Sequence, residues 1–360
     1  MTLEVRLRHG WPGFDLDVAF RAPAGVTVLY GRSGSGKSTV VDAVAGLLRP
    51  QSGRIVLGDR VLLDTDRGVA MPPHRRRLGY VFQDGRLFPH LTVRQNLMYG
   101  RRLAPAARRR TDPERVIAML GLGPLLSRRP GTLSGGEKQR VAIGRALLAE
   151  PEMLLADEPL ASLDAPRKAE ILPYIERLRD AGGVPILYVT HSVAEVARLA
   201  TWVVALEAGH TTREGPAQEV LGDPMVTPAG VRAAGAVIEA TVMRHHDDGL
   251  TELDAGGTPL FLPRVGIAAG GRLRVRIAAQ DVILSRGAPE GLSALNVLPG
   301  RVAALRQGEG PGAMVVLDTP AGRLLARVTR RSAAALGLAE GTECHAVMKT
   351  VAIAPEDVGA

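Results

Sequence analysis

The sequence has one cysteine, few aromatic residues and only four lysines among its 360 residues. The lone cysteine, Cys344, excludes a disulfide within the chain and any cysteine-rich metal site. Aromatic residues make up 3% of the chain, which is poor for stacking on bases and argues against a nucleic-acid partner. No apolar run approaches the ~18 residues of a membrane span, and the first residues lack the apolar segment of a signal peptide. We therefore expect a cytoplasmic protein.

What the chain has in excess is arginine, which gives almost all of its net charge of +8. Such an excess can indicate binding to nucleic acid or anionic lipid. The densest clusters, residues 75–77 and 108–110, have no aromatic residues between the arginines, so a solvated surface is the favoured interpretation. With 46% apolar residues, the chain is globular and long enough for two modest domains.

Residues 1–230 alternate apolar runs with helical stretches. Residues 26–30 predict a buried strand that enters a glycine-rich loop, and residues 39–48 predict the helix that follows. Residues 153–156 and 186–190 predict further buried strands. The implied fold class is α/β, with a mostly parallel sheet and helices on its faces.

The pattern changes at residues 221–236, which contain several glycines and prolines. The short alternating segments beyond them predict a small all-β barrel. Residues 271–284 and 341–353 look related to each other, which predicts a duplicated or split barrel. We expect a first domain over residues 1–230, a linker with the first β segment over 231–291, and a last domain over 292–356.

The glycine-rich loop matches the pattern G-x-x-x-x-G-K-[ST], whose backbone N–H groups and following helix bind phosphate. Lys37 can reach the β- and γ-phosphates, and the Ser38 hydroxyl can bind Mg²⁺. The residues predicted to bind nucleotide here are Gly31, Arg32, Ser33, Gly34, Ser35, Gly36, Lys37, Ser38 and Thr39.

Two acids, Asp157 and Glu158, end the strand predicted at residues 153–156. Asp157 can hold Mg²⁺, and Glu158 can act as general base toward the attacking water. The alternative is an acidic helix cap before Pro159. Gln83 and His191 each follow an apolar strand, where ligands bind in open α/β sheets. Gln83 could touch both Mg²⁺ and water, and His191 could reach the γ-phosphate.

A second helix start is predicted at Ser134, Gly135 and Gly136, in a helix that runs to about Ala149. Its free N–H groups form another anion site. One phosphate chain cannot easily use two helix starts of the same subunit, whereas a head-to-tail dimer can. The alternative is an ordinary helix start capped by Ser134.

Together these residues resemble the nucleotide-binding subunits of ABC transporters, a P-loop ATPase family. The resemblance covers residues 1–230 and implies ATP and Mg²⁺ as cofactors, a homodimer, and two membrane permease subunits as partners. It identifies residues 31–39 as Walker A, Gln83 as the Q-loop, residues 133–137 as the signature and Asp157 as Walker B. It further implies that Glu158 is the catalytic glutamate, that Asp164 lies in the D-loop and that His191 is the switch histidine. The family also has an aromatic residue that stacks on adenine, for which Trp11 and Phe14 lie nearest the expected place.

The C-terminal region is similar to the Mop domain, an OB-like molybdate-binding β barrel, at residues 293–302 and 336–351. The resemblance implies Ser293, Lys349 and Thr350 as oxyanion contacts, and hydroxyl and ammonium groups suit a tetrahedral dianion. Leu295 departs from the family, which usually has Arg there, and a barrel without a ligand is the alternative.

The chain is thus identified as similar to ATPases of the molybdate importer type, acting at the cytoplasmic face of the inner membrane. Residues 79–90 resemble the importer branch, in which the segment after the Q-loop docks a membrane subunit. The alternative is a buried loop anchor. A periplasmic molybdate-binding protein would complete the complex, and tungstate is a possible second cargo. One alternative is an importer ATPase for sulfate, iron, polyamine or sugar, and another is a molybdate-sensing role of the C-terminal half, which is compatible with transport. A soluble ATPase acting on DNA or ribosomes usually has two nucleotide modules or a long coiled-coil insertion, whereas this sequence has one glycine-rich loop and no heptad stretch.

Overall fold

The computed structural model describes residues 1–161, 163–221, 234–307, 310–354 and 357–359. The chain divides into two compact units, Met1–Pro216 and Ala217–Ala360. The boundary predicted at residue 230 falls among residues 222–233, outside the described residues, and stays a prediction. Within the described ranges, no helix is both long enough and apolar enough to cross a bilayer.

The first unit is built on one mixed sheet. Its strands are β1 (Leu3–Trp11), β2 (Phe14–Ala22), β3 (Val26–Tyr30), β4 (Ser52–Leu57), β5 (Arg60–Asp64), β6 (Val69–Ala70), β7 (Leu78–Val81), β8 (Met153–Asp157), β9 (Ile186–Thr190), β10 (Trp202–Glu207) and β11 (His210–Pro216). Their order in the sheet is β6-β5-β4-β1-β2-β11-β10-β3-β9-β8-β7. The parallel part predicted from the sequence is confirmed for β10-β3-β9-β8-β7. Antiparallel pairing of β1 with β2 and β4 extends the sheet on the other side.

The helices of this unit begin and end close to the sequence signals. They are α1 (Lys37–Ala45), α2 (Pro73–Arg76), α3 (Val93–Leu103), α4 (Pro113–Met119), α5 (Gly135–Leu148), α6 (Ala165–Asp180) and α7 (Val193–Leu199). Helix α1 starts two residues before its predicted start and ends three residues before its predicted end, because Gly46, with a positive φ of 82°, forms the C-cap. Three 3₁₀ turns connect the helices, at Ala106–Arg108, Gly123–Leu125 and Pro130–Thr132.

The central strands are buried on both faces, as their continuous apolar runs predict. All five residues of β3 are buried, and so are all five of β9. One core cluster joins Leu29 of β3, Val40 and Val44 of α1 and Leu155 of β8. The loop after β3 therefore starts from a fixed strand and enters a helix that is packed on the same core.

The described residues of the second unit form β-strands, two short helices and short 3₁₀ turns. Its elements are α8 (Ala217–Leu221), β12 (Gly235–His245), β13 (Leu250–Ala255), β14 (Thr258–Pro263), β15 (Arg272–Ala278), β16 (Ile283–Ser285), β17 (Asn296–Gln307), β18 (Gly312–Thr319), β19 (Gly322–Thr329), α9 (Arg330–Ala335), β20 (Glu343–Met348) and β21 (Val358–Gly359). They form two five-stranded sheets, in the orders β14-β13-β12-β15-β21 and β16-β20-β17-β18-β19. A single core cluster contains residues of both sheets, among them Ile238, Leu253, Val302 and Leu317.

The duplication predicted for this unit is confirmed in its strands. In each half a long strand carries a register shift at an equivalent place, between Val242 and Arg244 in β12 and between Val302 and Ala304 in β17. The strands β15 and β20 each run into a 3₁₀ turn, Ala279–Asp281 and Thr350–Ala352. The last strand of each half then pairs in the other sheet, β16 with β20 and β21 with β15. The halves are thereby interlocked, and the first β segment shares its core with the Mop-like region.

Candidate functional site

Four strand ends meet at one edge of the first unit's sheet. Parallel pairing sets Tyr30 of β3 beside Thr190 of β9, and Asp157 of β8 beside Val189 of β9. On the other side of β8, Ala156 pairs with Val81 of β7. The residues that follow these strands therefore lie along one carboxyl edge, where ligands bind in open α/β sheets. They are the phosphate loop, Glu158, His191 and Gln83.

The phosphate loop needs its glycines at particular positions. Gly34 and Gly36 have φ of 79° and 96°, which other residues adopt only with strain. A Cβ on Gly31 would lie 2.3 Å from the Leu206 carbonyl oxygen, so any side chain there would displace backbone. The Ser35 hydroxyl is buried without a hydrogen-bond partner, an unused polar group inside the loop.

Lys37 is the buried cation of the loop. Its side chain is 4% exposed, and its Nζ donates to the carbonyl oxygens of Gly31 and Arg32 at 2.8 and 2.7 Å. Burial lowers the pKa of Lys37, while the carboxylates of Glu158 and Asp157 act to raise it. The ammonium is thus held over the loop by two carbonyls that an incoming phosphate oxygen can replace as its partners.

Ser38 and Asp157 form a ready pair of oxygen ligands. The Ser38 Oγ donates to Asp157 Oδ1 at 3.1 Å. Burial raises the pKa of Asp157, and the Ser38 hydrogen bond opposes this. Among the described residues, no group of three His, Cys, Asp or Glu side chains could hold a metal by itself. A hydroxyl, a carboxylate and the oxygens of a nucleotide are instead the donor set that suits Mg²⁺.

Glu158 lies between two potential partners of a γ-phosphate. Its Oε2 is 3.3 Å from His191 Nδ1, and its Oε1 is 4.0 Å from Lys37 Nζ. The residue has φ of 42°, a left-handed conformation that is uncommon for a residue other than glycine. Such backbone strain concentrates at functional sites. The sequence had predicted the role of Glu158 but not this conformation.

Gln83 is at the predicted edge but reaches no predicted partner. It follows β7 in a turn, and its side chain is exposed. In the described part of the chain, no contact joins it to Ser38 or Asp157. Its neighbour Phe82 is fixed instead, since the Phe82 ring stacks on Tyr80 with centroids 4.0 Å apart.

The second helix start has the Ser134 cap that the sequence predicts as the alternative to an anion site. The Ser134 Oγ accepts from the Glu137 N–H at 3.2 Å, and the Glu137 carboxylate accepts from the Ser134 N–H at 2.7 Å. This reciprocal pair is a capping box, so Ser134 has both the capping role and an exposed position. Gly135 is exposed too, and Gly136 is buried. Asp164 is the exposed N-cap of α6, and its side chain accepts from the Arg167 N–H at 3.1 Å.

Two aromatic residues that sequence reasoning left unassigned lie beside the phosphate loop. Trp11 and Phe14 line an open pocket of about 320 Å³ together with Gly34, Lys37 and Ser38. A Cβ on Gly36 would lie 3.3 Å from the Phe14 ring, which shows how near that ring is. The only sequence signal was two aromatics around a two-residue turn, and Trp11 pairs with Phe14 across it. Because Trp11 is 38% exposed, it offers a face for an adenine ring.

The predicted oxyanion residues come from two adjacent strand ends of the second unit. Asn296, the first residue of β17, pairs with Met348, the last residue of β20, so Ser293 and Lys349 extend from neighbouring strands. Thr350 is 7% exposed, and its hydroxyl is buried without a hydrogen-bond partner. Leu295, which departs from the family pattern, is 53% exposed.

Comparison with known proteins agrees with this arrangement. The ABC transporter family profile matches residues 17–161, and the TOBE domain profile matches residues 292–355. The chain is 50% identical to the molybdenum import ATP-binding protein ModC of Mesorhizobium japonicum, covering 100% of this chain and 98% of that one. The chain belongs to the ModC family of ABC transporter ATP-binding proteins. It is also 52% identical to ModC of Rhizobium meliloti, over 98% of this chain and 99% of that one.

A solved structure of an ABC transporter component is also similar to part of this chain. The structure of cbiO1 from Clostridium perfringens, part of the ABC transporter complex cbiONQ, has a TM-score of 0.54 and 28% identity. It covers 61% of this chain and 90% of its own. Membership of the ModC family confirms the predicted fold class, the ABC-type ATPase activity and the resemblance on which they were based. The TOBE match begins at the residue where the Mop-like domain was predicted to begin.

Proposed function

We propose that this chain is the ATP-hydrolysing subunit of an importer that drives molybdate, with tungstate as a second candidate cargo, across the inner membrane. The substrate assignment is based on the similarity to molybdenum import ATP-binding proteins along the whole chain. This similarity includes the second unit as well as the ATPase unit. The chain would act at the cytoplasmic face of the membrane, with two permease subunits and a periplasmic molybdate-binding protein as partners.

Hydrolysis is assigned to the residues at the sheet edge. Glu158 is the general base that takes a proton from the attacking water. His191, 3.3 Å from the Glu158 carboxylate, and Lys37 stabilise the charge that develops on the transferred phosphoryl group. Trp11 stacks on the adenine ring, with Phe14 packed against the loop below it.

The residues present fit a magnesium ion. Ser38 and Asp157 would hold it, and Gln83 would join them only after a change in its exposed turn. When bound, Mg²⁺ would neutralise negative charge on the phosphates of the nucleotide.

The functional unit in this proposal is a head-to-tail homodimer. Helix α5 presents its first N–H groups at an exposed start, and the phosphate loop occupies a different helix start in the same unit. Each γ-phosphate would lie between Lys37 of one copy and residues 134–136 of the other, with Asp164 also facing the partner. Hydrolysis removes the γ-phosphate that joins the two copies, and the dimer can then open.

The segment after Gln83 is the proposed contact with the permease. Phe88 is fixed by Asn96, whose side chain accepts from the Phe88 N–H at 2.9 Å and donates to its carbonyl at 3.1 Å. Arg145 of α5 donates to the carbonyls of Gly85 and Arg86 at 3.0 and 2.8 Å. The loop is therefore both anchored and connected to the signature helix, while Pro89 is exposed for a partner.

The second unit is proposed to bind the oxyanion through Ser293, Lys349 and Thr350. The buried Thr350 hydroxyl supports this, because a buried hydroxyl without a partner costs free energy that a bound oxyanion would recover. The Asn296 side chain fixes the start of β17 against β14, because it accepts from the Phe261 N–H at 2.7 Å and donates to the Phe261 carbonyl at 2.8 Å.

Replacing Thr350 by Val should remove oxyanion binding without weakening the fold. Val has nearly the same shape and leaves no unpartnered hydroxyl, so the melting temperature without ligand should stay equal or rise. The wild-type chain should gain about 2.7 kcal/mol at a molybdate concentration one hundred times the Kd, and T350V should gain none. Thermal denaturation with molybdate, tungstate and sulfate measures this. A wild-type chain that no oxyanion stabilises would make the barrel structural.

The transport assay tests the proposed function. The purified chain is assembled with its permease subunits in vesicles, and the binding protein, ATP and labelled molybdate are supplied. We expect ATP-dependent molybdate uptake that excess sulfate does not compete away. Uptake of sulfate, iron, polyamine or sugar in place of molybdate would favour the importer alternative for another solute.

A further inference from the structure

We infer that Glu195 is a positioning residue for His191 and that Lys168 links it to the start of helix α6. The inference rests on the proposed function, since it assigns His191 to ATP hydrolysis. Its basis is a cluster of polar side chains next to His191, in which Tyr188, Thr190 and Glu195 are buried and the Lys168 side chain is 27% exposed.

The His191 side chain is 56% exposed, and its Nδ1 lies 3.3 Å from Glu158 Oε2. Because more than half of the side chain faces solvent, its position depends mainly on the backbone on either side of it. On one side, the Thr190 hydroxyl donates to Glu195 Oε2 at 2.8 Å. On the other, the Ser192 N–H donates to that same hydroxyl oxygen at 3.0 Å. Both neighbours of His191 are thus fixed through one carboxylate.

The carboxylate of Glu195 is buried and well supplied with donors. Its side chain is 5% exposed, and it also accepts from the Tyr188 hydroxyl at 3.0 Å. Burial raises the pKa of Tyr188 well above its usual range, and the Glu195 carboxylate adds to this, so the phenol keeps its proton and stays a donor. Buried networks with every member satisfied are rigid, and removing one member is costly.

Lys168 connects this cluster to another element of the site. Its Nζ lies 3.0 Å from Glu195 Oε1, and it belongs to the first turn of α6, whose N-cap is Asp164. In the proposed dimer Asp164 faces the partner copy. A displacement at the start of α6 would therefore reach His191 through Lys168 and Glu195.

The chain offers a matched control between the same two helices. Glu176 of α6 and Arg198 of α7 form an ion pair in which both side chains are at least nine-tenths buried. This pair joins α6 to α7 away from His191. If the Lys168–Glu195 pair only fastened the two helices together, its loss would have the same effect on activity as loss of the Glu176–Arg198 pair.

The experiment compares K168M with E176Q in steady-state phosphate release from MgATP by the full-length chain. We expect K168M to lower kcat about tenfold and to leave the KM for ATP within about twofold, because a catalytic group is displaced while nucleotide binding is untouched. K168R, which keeps the cation, should retain most of the activity. E176Q should lower the melting temperature and leave kcat unchanged.

A second comparison shows whether Lys168 acts through the histidine. In an H191A background, K168M should cause no further fall in kcat, since the group it positions is gone. Equal loss of kcat in K168M and E176Q, or additive loss in the double variant, would overturn the inference. A wild-type chain without phosphate release would instead overturn the proposed function, and the inference with it.

Discussion

Replacing Glu158 by Gln should abolish ATP turnover and yield a chain that pairs with a second copy in MgATP. The amide keeps the shape of the side chain but cannot accept the proton of the attacking water. General-base catalysis contributes about 10²- to 10⁴-fold, so kcat should fall at least about one hundredfold. Because the γ-phosphate then persists, the bridge between two copies persists with it. The mass measured by light scattering should double from 38.1 kDa on adding MgATP.

The matched control for this change is E114Q, which removes an exposed carboxylate at the start of α4. Its turnover should equal that of the wild type, and it should form no long-lived dimer. If E158Q keeps substantial phosphate release, Glu158 is not the base. If E158Q loses turnover but stays at the single-chain mass with MgATP, even beside its membrane subunits, the shared site is wrong.

Replacing Lys37 by Met should weaken nucleotide binding, the step that precedes the hydrolysis blocked in E158Q. The Lys37 ammonium is the buried cation of the phosphate loop, and Met has a similar length without the charge. Loss of a charge-assisted contact to phosphate should weaken ATP binding about one hundredfold and lower hydrolysis at least about one thousandfold. Equilibrium binding of a fluorescent ATP analogue and phosphate release measure the two effects.

The two variants separate binding from chemistry. K37M should form no dimer with MgATP at concentrations where E158Q is fully paired. Its melting temperature without nucleotide should stay near that of the wild type, since the pocket is open and water can replace the amine at the Gly31 and Arg32 carbonyls. ATP binding by K37M with wild-type affinity would contradict the role of Lys37.

Much of the site could be predicted because local sequence determines it. The buried run of β3, the glycines of the loop and the Ser134–Glu137 capping box all depend on neighbours a few residues apart. The strand-end positions of Asp157, His191 and Gln83 followed from parallel pairing, which fixes the edge where the side chains gather. The duplication of the second unit was visible in two short segments, and the shared 3₁₀ turns explain why they look alike.

The rest depends on contacts between distant segments. Trp11 reaches the phosphate loop only because β1 and β2 form a hairpin beside it, and no local pattern reports that packing. The strand exchange of β16 and β21 joins residues of opposite halves and has no local signal either. Glu195 in the sequence is one acid on a short helix, and only the folded chain shows three donors around it. The left-handed conformation of Glu158 is likewise imposed by its surroundings.

The structure of E158Q with MgATP tests most directly whether one site is completed by two copies of the chain. We expect each γ-phosphate to lie between Lys37 of one copy and Ser134, Gly135 and Gly136 of the other, with Trp11 on the adenine ring. A γ-phosphate contacted by residues of one copy alone, with the start of α5 facing solvent, would contradict the shared site.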